Sequence, residues 1–75
     1  MNNNWFDPND RLPEKDTDVM VVIQDELGLS YNVRWRSSCK DALTDKHGFV
    51  IYHASEDIIA WQPIPYYPGI GWYEE

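Results

Sequence analysis

The sequence predicts a mainly β domain, a small curled antiparallel sheet of three to four strands crossed by proline-bearing N- and C-terminal arms. Three observations carry this. Val19-Met20-Val21-Val22-Ile23 is a nearly continuous apolar run rich in β-branched residues, which suits a central strand covered on both faces. Residues 29–36 alternate apolar with polar side chains, the period-two signature of a half-buried strand. Prolines punctuate both ends and rule out regular helices there.

Taken in order, residues 1–17 read as an extended arm with turns at Pro8 and Pro13. Trp5 and Leu12 are its expected anchors, and Arg11 is placed to tie it down through a carboxylate or exposed carbonyls. Asp18 to Gln24 reads as the first strand, and Asp25-Glu26-Leu27-Gly28 as a turn in which Gly28 supplies a positive φ. Leu29 to Arg36 reads as the second strand. Leu29, Tyr31, Val33 and Trp35 share the face expected to be buried, with Ser30, Asn32, Arg34 and Arg36 on the polar side. The two strands form a hairpin.

Residues 37–48 are a polar loop, with room for one short helical turn around Lys40 to Leu43, which would make the fold α+β. Gly48 to His53 reads as a third strand, with Phe49 and Ile51 opposed to Val50 and Tyr52. Ala54-Ser55-Glu56-Asp57 is a turn and Ile58 to Trp61 a short fourth strand. Pro63, Pro65 and Pro68 then end sheet pairing. The simplest topology is a meander. The chain forms a single domain with its core in about residues 5–65 and an aromatic tail over 66–75.

The 75-residue length allows one domain. A domain this size buries only about 60% of its unfolded surface. With Cys39 the sole cysteine, no internal disulfide can compensate, and that usage fits a reducing compartment. Aromatics, 15% of the chain including four Trp, are the expected compensation. No run approaches the roughly 20 apolar residues of a membrane span. Residues 1–4 lack the features of a signal peptide, so the expected localisation is cytoplasmic.

Thirteen acidic against six basic residues leave a net charge of −7. Such a surface disfavours direct binding to nucleic acid or anionic membranes, since phosphate contacts need positive charge. The acidity serves solubility, or else it imitates nucleic acid or docks on a basic partner.

Trp5, five intervening residues and then Arg11-Leu12-Pro13-Glu14 resembles the start of a family of small phage and prophage proteins known only as a domain of unknown function. That family ends in one or two hydrophobic residues, a Trp and a Pro-Leu-Pro-like segment. Ile58-Ile59-Ala60-Trp61-Gln62-Pro63-Ile64-Pro65 is similar to that ending, although Ala60 stands where the family often has His. The family's Val-rich strand is matched by Val19 to Val22, and its aromatic second strand by Tyr31 or Trp35. The resemblance implies phage or prophage origin and a non-enzymatic accessory role, and it carries no catalytic residue across.

Cys39, His47 and His53 match no usual zinc spacing and fall short of four ligands, so no metal or cofactor is expected. No glycine-framed nucleophile or oxyanion-hole motif accompanies a Cys–His pair, so no enzyme is expected. The expected function is binding to a host or defence protein, possible forms including an acidic inhibitor of a nucleic-acid-handling complex. Trp72, Tyr73, Tyr66 and Tyr67 are the aromatic hot-spot candidates, with loop carboxylates Asp41 and Asp45 and strand-two cations Arg34 and Arg36 beside them. The alternative is a self-associating structural domain, a homodimer built through sheet edges or the tail.

Overall fold

A computed structural model of the chain describes residues 5–64. Among these residues the fold is one open sheet of three antiparallel strands, β1 (Val19–Asp25), β2 (Gly28–Arg34) and β3 (Asp57–Pro63), in the order β2-β1-β3. No helix occurs among the described residues, and 39–42 form only a turn, closed by Ala42 N–H donating to the Cys39 carbonyl at 3.4 Å.

The valine-rich run is the central strand, as its composition predicts. Its register with β2 is unbroken from Val19 opposite Arg34 to Asp25 opposite Gly28. The Glu26-Leu27 connection is stabilised by Asp25 Oδ1 accepting from the Leu27 N–H at 2.9 Å, and Gly28 adopts φ +114°. β3 lies on the other side of β1, so the sheet is not a meander. Its register shifts between Val22, opposite Ala60, and Ile23, opposite Ile58, leaving Ile59 as the extra residue of a bulge.

The expected strand over Gly48–His53 is replaced by single bridges, Arg36 with Phe49 and Thr44 with Val50. Its alternation is nonetheless real: Phe49 and Ile51 are buried while Tyr52 is exposed. Pro63 does not end pairing. It is the last residue of β3, opposite Val19, at an edge position where the missing N–H removes nothing from the ladder.

The core comprises Val19, Val21 and Ile23 of β1, Ile58 and Trp61 of β3, and Phe49 and Ile51 laid over them, with Phe6 packed alongside. Trp61 is 5% exposed, and its indole N–H donates to the Arg11 carbonyl at 2.8 Å. That bond fastens the N-terminal arm. Phe6 reinforces it by exchanging two backbone hydrogen bonds with Trp61, at 2.8 and 3.1 Å, with the two rings 4.8 Å apart. Leu12 is a weaker anchor than expected: it is 38% exposed, whereas Pro8 and Pro13 are buried. Arg11 places its guanidinium over the Phe6 ring, 4.9 Å from the centroid, rather than on a carboxylate.

The two faces of β2 are inverted relative to expectation. Leu29, Tyr31 and Val33 are 66%, 73% and 44% exposed, while Arg34 is buried. The alternation defines two faces correctly. The side that meets the core is the polar one, because Arg34 finds its partner there.

Candidate functional site

Arg34 begins as a strand-end residue opposite Val19, which directs it to the core side. Its Nη2 reaches both Glu56 oxygens, at 3.2 and 3.3 Å, and both side chains are 6% exposed. Nη1 donates to the Val33 carbonyl at 2.9 Å, and the guanidinium carbon lies 3.9 Å from the Tyr52 ring centroid. A buried charge is tolerable only when paired and hydrogen-bonded, and here Glu56 and the Val33 carbonyl serve the two terminal nitrogens while the buried Nε has no partner among the described residues. The pair bolts the segment before β3 onto the open end of the hairpin. Arg34 is thereby committed inside the fold and is not on the solvent face.

Arg36 is half-buried and donates from Nη1 to the Pro13 carbonyl at 2.7 Å, holding the arm against the sheet. The same junction is closed by Asp16, at φ +62°, whose N–H donates to the Arg36 carbonyl at 2.6 Å. Its carboxylate accepts from the Ser38 hydroxyl at 2.7 Å and the Ser38 N–H at 3.2 Å. Those two Ser38 bonds, the hydroxyl first, hold the Asp16 carboxyl below its ordinary value.

Asp45 is likewise structural. One oxygen accepts from the N–H groups of His47 and Phe49, at 2.9 and 3.0 Å, fixing the tight turn in which Gly48 takes φ +93°. His47 bridges to the arm through Nε2 and Asn9 Oδ1 at 2.9 Å. Asp41, by contrast, is exposed, as are Cys39 and His53. The tail residues Tyr66, Tyr67, Trp72 and Tyr73 lie outside the described residues.

Two open depressions of about 240 and 340 Å³ flank Lys46 and Asp57, one against Asn9 and His47, the other against Leu43 and Glu56. The second also holds the Thr44 and Ser55 hydroxyls, and neither is hydrogen-bonded to a carboxylate or imidazole among the described residues. Among the described residues no group of three or more His, Cys, Asp or Glu side chains converges as a metal site would require.

What remains exposed and chemically distinctive is the outer face of the hairpin. Tyr31 opposes Val22 and Val33 opposes Met20 in register, so these side chains share one face with Ala60 and Gln62 of β3. Leu27 at the turn is 97% exposed. Trp5 stacks on Tyr31 with ring centroids 6.0 Å apart and planes at 22°. Alternation alone could have located this face. Its exposure could not be read from the alternation, because that depended on the Arg34–Glu56 pair.

The sequence pattern shared by the DUF551 proteins, described as proteins of unknown function, matches residues 4–69. The chain belongs to the DUF551 family. The match spans both bracketing segments, and in the fold these meet: Trp61 of the late motif bonds to Phe6 and to Arg11 of the early one. In this chain the two segments are therefore architecture, the two ends of one clamp. No curated protein and no solved structure matches the chain.

Proposed function

We propose that this domain is a non-catalytic binding module, phage- or prophage-encoded, that occupies the surface of a host or defence protein in the bacterial cytoplasm. The observation that carries this reading is the exposed apolar face Leu29–Tyr31–Val33, in a chain of net charge −7 whose buried apolar residues lie on the opposite side of the sheet. Contiguous apolar surface on a small soluble domain marks interaction sites, and a tyrosine at its centre suits a hot spot. The acidic remainder supplies steering toward a basic partner and discrimination against other acidic surfaces. Asp41, which is exposed, and by residue type alone Tyr66, Tyr67, Trp72 and Tyr73 are further contact candidates.

The test is affinity capture from bacterial lysate with paired baits, the intact chain and Leu29→Lys/Val33→Lys. Proteins held by the first and lost by the second support the reading, provided the far-ultraviolet spectrum and melting point of the variant match. Equal capture by both baits overturns it. Equal capture combined with loss on Trp72→Ala would move the contact to the tail, and loss in high salt alone would move it to the carboxylates.

A further inference from the structure

The two edges of the sheet are treated differently. In a hairpin with a two-residue connection, Asp25 and Gly28 form the first hydrogen-bonded pair, and bonded and non-bonded pairs alternate from there. Gly28, Ser30, Asn32 and Arg34 thus bond inward to β1. Leu29, Tyr31 and Val33 turn their N–H and C=O groups to the outer edge. The same count carried through β1 to β3 turns the Trp61 backbone outward, and there Phe6 meets it with two hydrogen bonds. The β3 edge is closed further by Pro63, which has no N–H, and by the Ile59 bulge.

Among the described residues the β2 edge has no such protection. Of its outward groups only the Val33 carbonyl has a partner among the described residues, the Arg34 guanidinium. From Leu27 to Val33 there is no proline, no bulge and no charged side chain, although the chain as a whole carries −7. An unguarded, regular, uncharged edge is a template for another strand.

We propose that the β2 edge pairs antiparallel with the β2 edge of a second copy of this chain, forming a six-stranded sheet (about twice the strand count of one copy) across a two-fold axis at Tyr31. The occupant follows from self-complementarity and closure. With Tyr31 opposite Tyr31 on the axis, Leu29 of each copy faces Val33 of the other, and these three pairs exchange about two backbone bonds each. The stretch carries no charged side chain, so two such acidic chains can meet along it without opposing like charges. Because the β3 edge is closed by the chain's own arm, pairing stops at the dimer instead of propagating into a filament. The joined sheet also sets the two Leu29–Tyr31–Val33 rows side by side, doubling the apolar face. Trp5 stacks on the face of Tyr31 and leaves its backbone edge open.

Edge pairing buries less than the roughly 1,200 Å² of a standard stable interface, so the dimer dissociates on dilution. The experiment is sedimentation of the full chain over a concentration series, with residue-resolved amide exchange at both ends of that series. The expected result is a rise from the 8.9 kDa monomer toward twice that mass, with the Leu29 and Tyr31 amides slowing at least about tenfold as the dimer forms. Tyr31→Lys, which sets two lysines face to face on the axis, should still melt cooperatively within several degrees of the parent monomer and abolish both changes. A monomer at every concentration overturns the proposal. So does a dimer in which those two amides remain fast, which would place the contact elsewhere. Slow Leu29 and Tyr31 amides in a concentration-independent monomer would mean that residues 65–75 fill the edge, and this too overturns it. All of this is read on purified protein alone, so its failure leaves the partner-capture test untouched.

Discussion

The outer strands β2 and β3 flank the same central strand and have the same length, yet they live under opposite conditions. β3 buries Ile58 and Trp61, bonds to the arm along its outer edge, and ends in a proline. β2 buries only Arg34 and presents its apolar residues to solvent. The difference teaches that the fold is carried by one edge and leaves the other available. Substitutions in β3 should therefore be felt in stability, and those on the outer face of β2 in association.

The most damaging change is expected to be Trp61→Ala. It removes the largest core ring and the donor to the Arg11 carbonyl, at a cost of about 3–5 kcal/mol. That approaches the whole stability of a domain this small, so the variant should lack a cooperative melting transition in calorimetry. Next is Glu56→Ala, which strands Arg34 as an unpaired buried cation and should cost about 3 kcal/mol in urea unfolding. The double change Arg34→Met/Glu56→Leu should recover most of that loss, since an apolar pair needs no partner. Phe6→Ala should cost about 2 kcal/mol and open the β3 edge, so that this variant, unlike the parent, forms species larger than a dimer in sedimentation. Tyr31→Lys should move stability by less than about 1 kcal/mol, chiefly through the lost stack with Trp5, and a larger drop would erase the contrast between the strands.

The smallest effect concerns acid. The folded-state pKa of Asp16 lies below its unfolded value, so the stabilisation its carboxylate contributes is complete above the unfolded value and is lost as pH falls through the folded one. The Ser38 amide resonance should stay constant as pH falls through the range in which an ordinary aspartate titrates and shift only below it. Asp16→Asn should remove that shift, and Asn suits the left-handed backbone at this position.

Much of the architecture was legible in the residues. The central strand was visible in its unbroken apolar run, the hairpin in the turn residues before Gly28, and the last strand in the short apolar run from Ile58 to Trp61. Three things were not legible, for different reasons. Period-two alternation defines faces without saying which one is covered, and here a residue 22 positions away, Glu56, decided the matter for Arg34. The order of strands depends on which side of β1 the long return from residue 35 takes, and nothing local encodes that choice. Residues 48–53 have strand character but only single-bridge partners, so propensity without a neighbour gave buried side chains and no ladder. For the candidate site, Asp45 and Arg36 carried the right chemistry to bind a partner, yet their hydrogen bonds are spent on the turn and the arm.

The clamp between the arm and Trp61 has a consequence for the order of folding. The Trp61 indole and the Arg11 carbonyl it bonds are 50 residues apart in sequence. Closing so long a loop is entropically slow, whereas the hairpin of β1 and β2 needs only a two-residue connection. The hairpin should therefore form early and the arm dock late, in a folding transition state that already contains β1–β2 pairing while Phe6 is still free. The segment that guards one edge of the sheet is thus the first part of the domain to be synthesised and the last to take its place. Until it does, both sides of the young sheet are open, and the ordering of these two events sets how long the chain is exposed to mispairing.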